Sequence, residues 1–248
     1  MALNPDSFLI PDWPAPTTIG ALVSTRIGGV SRAPYQAFNL ALHVGDKAAR
    51  VLDNRQQLQS LPGAQARFQW LNQIHGAQVV QALPEREAQT ADALYSRDPE
   101  VVCAILTADC LPVFFCAADG RQVALAHAGW RGLAAGIVEN TLNAFPMPAR
   151  EVLVWLGPAI GSQHFEVGND VRDAFLSVSS LLAEAFVAVR QNYWLADIYR
   201  LATLRLKMCG VEAIYGGEYC TFTDKERFYS YRRDGTTGRM ASLIWINK

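Results

Sequence analysis

Two long apolar runs dominate the middle of this 248-residue chain. They are Ile105–Cys116 and Gln122–Ala128, and the polar pair Asp119-Gly120 lies between them. The pattern predicts a buried strand, a tight turn and a second buried strand, because Asp-Gly readily adopts the positive φ that a two-residue hairpin loop requires. With Asp119 and Gly120 as the loop, Pro112 faces His127, and Cys110 lies on the same face two positions along. Diagonal neighbours of this kind have Cα atoms ~7–8 Å apart, close enough for two side chains to converge. A thiolate and an imidazole so placed form either a metal site or a Cys–His nucleophile pair. The hairpin leaves both open.

Elsewhere the pattern predicts further strands at Ile19–Arg26, Phe68–His75, Val79–Leu83, Val152–Leu156 and Val211–Tyr215, with the loop Gly157–Gly161 and then Phe165–Val167 following Leu156. Helices are predicted from Asp46 to Leu61, closed by Pro62-Gly63, from Leu133 to Phe145, and from Asp197 to Cys209, stopped by Gly210. Asn169 or Asp170 opens a helix-rich segment to about Val189. The stretch Thr90–Ser96 reads as polar and turn-like. From Phe228 the tail reads as a strand, a turn at Asp234-Gly235 and a final strand to Ile246. Residues 1–17 are Pro-rich and extended, and Val30–His43 is a long loop. Strands and helices are mixed and no repeat or low-complexity linker divides the chain. An α/β (α+β) single domain over residues 1–248 is expected.

Composition narrows the function classes. Hydrophobic residues make up 50 % of the chain, enough for a sizeable core. The net charge of −1 gives no electrostatic reason to expect nucleic acid or an anionic membrane as partner. No apolar run reaches the ~18 residues of a membrane span, and the N-terminus lacks a signal-peptide pattern. Five cysteines, three of them inside apolar runs, favour reduced thiols in a cytoplasmic protein.

The candidate chemistry is concentrated at strand ends. His75, Cys110 and His127 each fall next to glycine or a polar turn, and three N/S ligands with one open position compose a catalytic zinc site. Cys103 and Cys116 sit among apolar neighbours and read as core packing. Cys209 and Cys220 have no evident partner, while His43 and His164 are second-sphere candidates. Arg26, Arg131 and Arg232 lie near glycines at turns or a helix start, where guanidinium groups suit phosphate or carboxylate.

Six motifs fall in order along the chain: Asn72-Gln-Ile-His-Gly76, Thr107-Ala-Asp-Cys-Leu-Pro112, His127-Ala-Gly-Trp-Arg-Gly132, Gly157-Pro-Ala-Ile-Gly161, Phe165-Glu-Val-Gly168 and Phe228–Arg239. Together they resemble the YfiH-like, or laccase-domain, family, once labelled multicopper polyphenol oxidases and now regarded as purine nucleoside phosphorylases. The resemblance implies one domain of packed mixed sheets flanked by helices, similar to the catalytic domain of cytotoxic necrotizing factor. It implies that His75, Cys110 and His127 are metal-binding and catalytic, with zinc as the metal and copper as the alternative. The implied activity is phosphorolysis of adenosine, inosine and methylthioadenosine, with adenosine deamination. The expected partners are purine nucleosides and phosphate, the latter held by one or more of Arg26, Arg131 and Arg232, in a monomer or weak homodimer. Two rival readings stand beside it: a Cys–His amide hydrolase editing peptidoglycan precursors, and a copper-dependent polyphenol oxidase. The oxidase suits a chain with four histidines poorly.

Overall fold

The computed structural model describes residues 5–59, 67–83 and 87–247. Two sheets packed face to face form its centre. The five-stranded sheet runs in the order Phe8–Leu9, Ile19–Ser24, Met240–Ile246, Val101–Thr107, Arg67–Gln69. The six-stranded sheet runs Ala213–Gly216, Val152–Leu156, Leu111–Ala117, Val123–Ala128, Ala93–Ser96, Val79–Gln81. Both are mixed. A three-stranded sheet (Glu166–Gly168, Tyr193–Ala196, Phe186–Arg190) and a two-stranded one (Leu71–Asn72, Gln89–Thr90) complete the β-structure. This is the mixed, multi-sheet, helix-flanked architecture that the resemblance implies, and the mixing of strands and helices is what the sequence pattern implies.

The long apolar runs follow from burial on both faces of each central strand. Cys103, Ile105, Phe114, Cys116, Leu125 and Trp155 fill the space between the two sheets. Val113, Phe115, Ala124, Ala126 and Val154 point the other way, against the helical residues Ile137, Val138, Leu201 and Leu206. On the far side of the five-stranded sheet, Val102, Ala104, Leu106 and Leu243 pack on Phe38, Leu40 and Leu58. Cys103 and Cys116 are fully buried packing residues, and burial raises both thiols, Cys116 to about 12. All five cysteines are free. Among the described residues no helix is long and apolar enough to cross a membrane.

The hairpin register matches expectation, with His127 opposite Pro112 and Gly120 at φ 72°. Its first arm does not. Ile105–Cys116 is two strands, Val101–Thr107 in one sheet and Leu111–Ala117 in the other, joined by a link that crosses between the sheets at Ala108–Cys110. Asp109 makes that crossing at φ 86°. The Phe68–His75 run is likewise divided between two sheets.

Other departures have local causes. The helix expected over Leu133–Phe145 is two short helices, Trp130–Ala134 and Ile137–Leu142, because Gly136 turns left-handed between them. The segment to Val189 holds one helix, Asn169–Leu176, then a 3-10 turn and the strand Phe186–Arg190, where Val187 and Val189 suit a strand. Thr90–Ser96 is not a surface turn: it contributes to two strands and is largely buried. The tail forms a short helix, Tyr231–Asp234, capped by the Ser230 hydroxyl, before its last strand. The helix expected from Asp46 begins at Ala48; the Asp46 carboxylate accepts from Ser31, Asn39 and the Lys47 N–H, and ties the long loop to the helix start. The expected stop at Pro62-Gly63 lies outside the described residues.

Phe114 is fully buried between the sheets with its ring edge-on to Trp155, the centroids 5.2 Å apart. Phe114→Ala is expected to destabilise the fold by about 3–5 kcal/mol. Urea denaturation measures this directly, and a loss below about 1 kcal/mol would mean that the two sheets close the gap.

Candidate metal centre

The three candidate ligands come from three separate pieces of chain. His127 ends a buried strand, Cys110 follows the crossing link, and His75 sits in the turn after Leu71–Asn72. Their donor atoms lie within 4.8 Å of one another. Tetrahedral ligands at ~2.0–2.3 Å from zinc are roughly 3.5 Å apart, a separation that a small side-chain rotation reaches. One thiolate and two imidazoles fit zinc, and among the described residues no fourth ligand joins them. The two imidazole rings meet edge to face with centroids 4.7 Å apart. Gly129 allows this closeness, since a Cβ there would stand 3.1 Å from both Cys110 Sγ and His75 Cδ2.

Asp92 organises the group. It is fully buried, and its carboxylate accepts the backbone N–H groups of Ile74 (3.2 Å), His75 (2.9 Å) and Gly76 (2.7 Å). Those three bonds hold His75 at φ 60°, a conformation that non-glycine residues rarely adopt. Nδ1 of His127 lies 2.8 Å from Oδ1 of the same carboxylate. With the Nδ1 proton committed there, Nε2 is the nitrogen left for a metal or for Cys110.

Electrostatics follow from this packing. Burial would raise the Cys110 thiol, but His127 and His75 outweigh it and bring the thiol down to about 6. Burial would likewise lower His127, but the Cys110 thiolate and Asp92 outweigh it and raise the imidazole to about 9. Without metal the pair is therefore thiolate and imidazolium between those limits.

Two cavities meet at His75 and Cys110, and His127 lines the first of them. The first, about 340 Å³, is lined by His43, Gln73, His75, Thr107, Cys110, His127, Tyr231 and Arg239. The second, about 240 Å³, is lined by His75, Cys110, Trp130, Arg131, Ile160, Phe165, Ile198, Tyr231 and Arg232 together with Asp109. Their sizes are in or near the ~300–1,000 Å³ range of small-ligand pockets.

Of the three arginines expected at the site, the structure brings two. Arg131 and Arg232 line the second cavity, their guanidinium groups over the rings of Trp130 and Phe165. Arg26 lines neither; it donates to the carbonyls of Gln36 and Lys225 and lies over Tyr229. His43 lines the first cavity, whereas His164 stacks on Phe222 beside a different one.

Asp92, Asp109, Tyr231 and Arg239 are additions from the structure. Asp109 accepts from the Thr221 hydroxyl and from the backbone N–H of Arg232, each at 2.6 Å, which fastens the tail to the Cys110 link. Nothing in their local sequence marks Asp92 as buried. Arg239 stands inside a motif already singled out, and its place at the start of the final strand is the signal that could have found it.

A family model described as multi-copper polyphenol oxidoreductase laccase matches residues 20–247, and the chain belongs to this family. It is 51 % identical to a purine nucleoside phosphorylase of Pseudomonas aeruginosa over 97 % of this chain and 99 % of that protein. It is 50 % identical to the purine nucleoside phosphorylase YfiH of Escherichia coli K12, over 96 % and 98 %. A crystal structure of a Neisseria meningitidis protein superimposes with a TM-score of 0.95 at 48 % identity, covering 98 % of this chain and 100 % of that one. A Bacillus licheniformis YfiH structure gives 0.92 at 26 % identity, over 99 % and 98 %.

Asp92→Asn keeps the shape but removes the charge that fixes His127, and metal affinity is expected to fall by about 10–100-fold. Competition with a chromogenic chelator measures this, and unchanged affinity would remove Asp92 from the site. In metal-stripped protein Cys110 loses its proton as pH rises through about 6, so iodoacetamide labelling rises over that interval and falls away below it. Peptide mapping should find Cys103 and Cys116 unlabelled throughout; half-labelling of Cys110 only near pH 9 would contradict the thiolate–imidazolium pair.

Proposed function

We propose that this chain is a zinc-dependent purine nucleoside phosphorylase acting on adenosine, inosine and methylthioadenosine, and that it also deaminates adenosine. The observation that carries this reading is a His75–Cys110–His127 group at the meeting point of two cavities, in a chain about half identical to purine nucleoside phosphorylases along nearly its whole length. Zinc held by these three residues supplies Lewis-acid polarisation where the two cavities join.

The residues of the chain do the rest. Trp130, Phe165 and Tyr231 offer aromatic faces to a purine base. Arg131 and Arg232 place guanidinium groups on the same cavity and bind substrate there. Asp92 keeps the Nδ1 proton on His127 and its ring in place. In phosphorolysis the bond from C1′ to the purine nitrogen breaks and a phosphate oxygen bonds to C1′. The bonding pair leaves with the base, which takes up the proton that hydrogen phosphate gives up. In deamination water replaces the 6-amino group, which leaves as ammonia. We take the protein to act in the cytoplasm, as a monomer or weak homodimer.

One observation favours a second reading. Cys110, His127 and Asp92 stand in the order of a nucleophile, a base and an orienting carboxylate, with a thiol held well below its ordinary range. That arrangement supports a cysteine amide hydrolase acting on peptidoglycan precursors. Copper suits the same ligands, but four histidines do not furnish a multicopper oxidase.

Cys110→Ala is expected to lose both zinc retention and the release of ribose 1-phosphate from inosine with phosphate. Metal analysis and a coupled phosphate-dependent assay measure the two. Wild-type phosphorolysis in the variant would take the cysteine out of the mechanism. Metal-independent amide hydrolysis abolished by alkylation would favour the hydrolase instead.

A further inference from the structure

We propose that the cavity at Arg239 is the oxyanion subsite, where inorganic phosphate binds, while the aromatic cavity beside it takes the nucleoside. This assignment rests on the phosphorylase reading and departs from the expectation that Arg26, Arg131 or Arg232 holds phosphate.

Arg239 is half-buried at the start of the strand Met240–Ile246, next to Thr107 on the neighbouring strand, since Met240 pairs with Thr107. Its backbone is bonded to the segment that leads to His43: its N–H donates to Asn39 Oδ1 and its carbonyl accepts from Leu40 N–H. These ties bring one guanidinium and one imidazole to the same wall. Nη1 donates to the carbonyls of Thr237 (2.9 Å) and Gly238 (3.0 Å), which fixes the plane of the guanidinium. Its Nε and Nη2 have no hydrogen-bond partner and no carboxylate in ion-pair contact among the described residues. By contrast Arg190, Arg200, Arg205, Arg227 and Arg233 are each paired with Asp or Glu. A half-buried guanidinium with two donors left over is matched by the oxygens of a phosphate.

Independent features of the cavity agree. Thr107 is 2 % exposed, lines the cavity, and its hydroxyl has no partner. A buried hydroxyl left unpaired is costly, and a ligand oxygen would satisfy it. Among the described residues no carboxylate lines this cavity. The second cavity has the Asp109 carboxylate on its wall, and its two guanidinium groups, Arg131 and Arg232, are exposed and lie over the rings of Trp130 and Phe165. With Ile160, Ile198 and Tyr231 the rest of that wall suits a base. Burial and the charges of Arg239 and Arg55 hold His43 below its usual range, which favours the neutral imidazole, a form that can donate or accept. Because His75, Cys110 and Tyr231 line both cavities, phosphate in one and nucleoside in the other would meet at the metal-binding group, with C1′ between them.

The test is phosphate binding to the zinc-loaded protein, followed by ³¹P line broadening, alongside steady-state phosphorolysis of inosine. Arg239→Gln is expected to weaken phosphate binding and raise the phosphate KM by at least about tenfold, the loss expected for charge-assisted hydrogen bonds, with zinc content unchanged. Arg131→Gln should leave phosphate binding within about twofold and raise the nucleoside KM instead, since its guanidinium lies on the other cavity. Should Arg239→Gln not fold, phenylglyoxal labelling of the wild type replaces it: phosphate should protect Arg239 and leave Arg131 reactive. Phosphate affinity unchanged in Arg239→Gln, or a loss confined to Arg131→Gln, would overturn the assignment while leaving the phosphorylase reading intact. Phosphate bound through Arg239 with no nucleoside cleaved would overturn the phosphorylase reading and leave the subsite.

Discussion

Asp92 places a carboxylate wholly inside the protein, and the geometry of the metal-binding group follows from how that charge is satisfied. An unpaired buried carboxylate would cost several kcal/mol or take up a proton. Here burial works against the charge, yet the His127 ring and the backbone N–H groups of Gly76 and Ile74 outweigh it and hold the carboxyl below its ordinary value. The same bonds that satisfy Asp92 bend the chain at His75 and select the proton position on His127. Two of the three ligands are thus oriented by one side chain, and the third arrives from the other sheet.

That third arrival depends on the sandwich. Val101–Thr107 and Leu111–Ala117 belong to different sheets, so the short link between them must cross the edge of the core. Cys110 lies at the end of that crossing, half-buried, where it is sheltered from bulk water but open to the cavities. Asp109 in the same link reaches Thr221 and the Arg232 backbone, so the tail that carries Tyr231 and Arg239 is held against the crossing. Packing two sheets face to face therefore positions both the ligand and the cavity walls. The same thiolate–imidazole–carboxylate chain serves metal binding or nucleophilic chemistry, and what stands in the cavities decides between them.

Much of this was legible in the sequence because its signals are local. Asp119-Gly120 between apolar runs determined the hairpin and its register, hence the pairing of Pro112 with His127 and the approach of Cys110. Val152–Leu156 and the Asp197-capped helix were equally readable from apolar runs and a capping side chain. His75 was legible as a histidine at a turn. What only the tertiary structure decided is which sheet each run joins and which polar residues end up inside. A fully buried strand looks the same from either side of a sheet break, so the division of Ile105–Cys116 left no periodic trace. Asp92 reads as a loop residue until the partners that satisfy it, up to 35 positions away, are in place. Arg26 and Arg239 both stand near glycines in the sequence; contacts with Gln36 and Lys225 commit Arg26 to backbone carbonyls, whereas Nε and Nη2 of Arg239 meet no hydrogen-bond partner among the described residues.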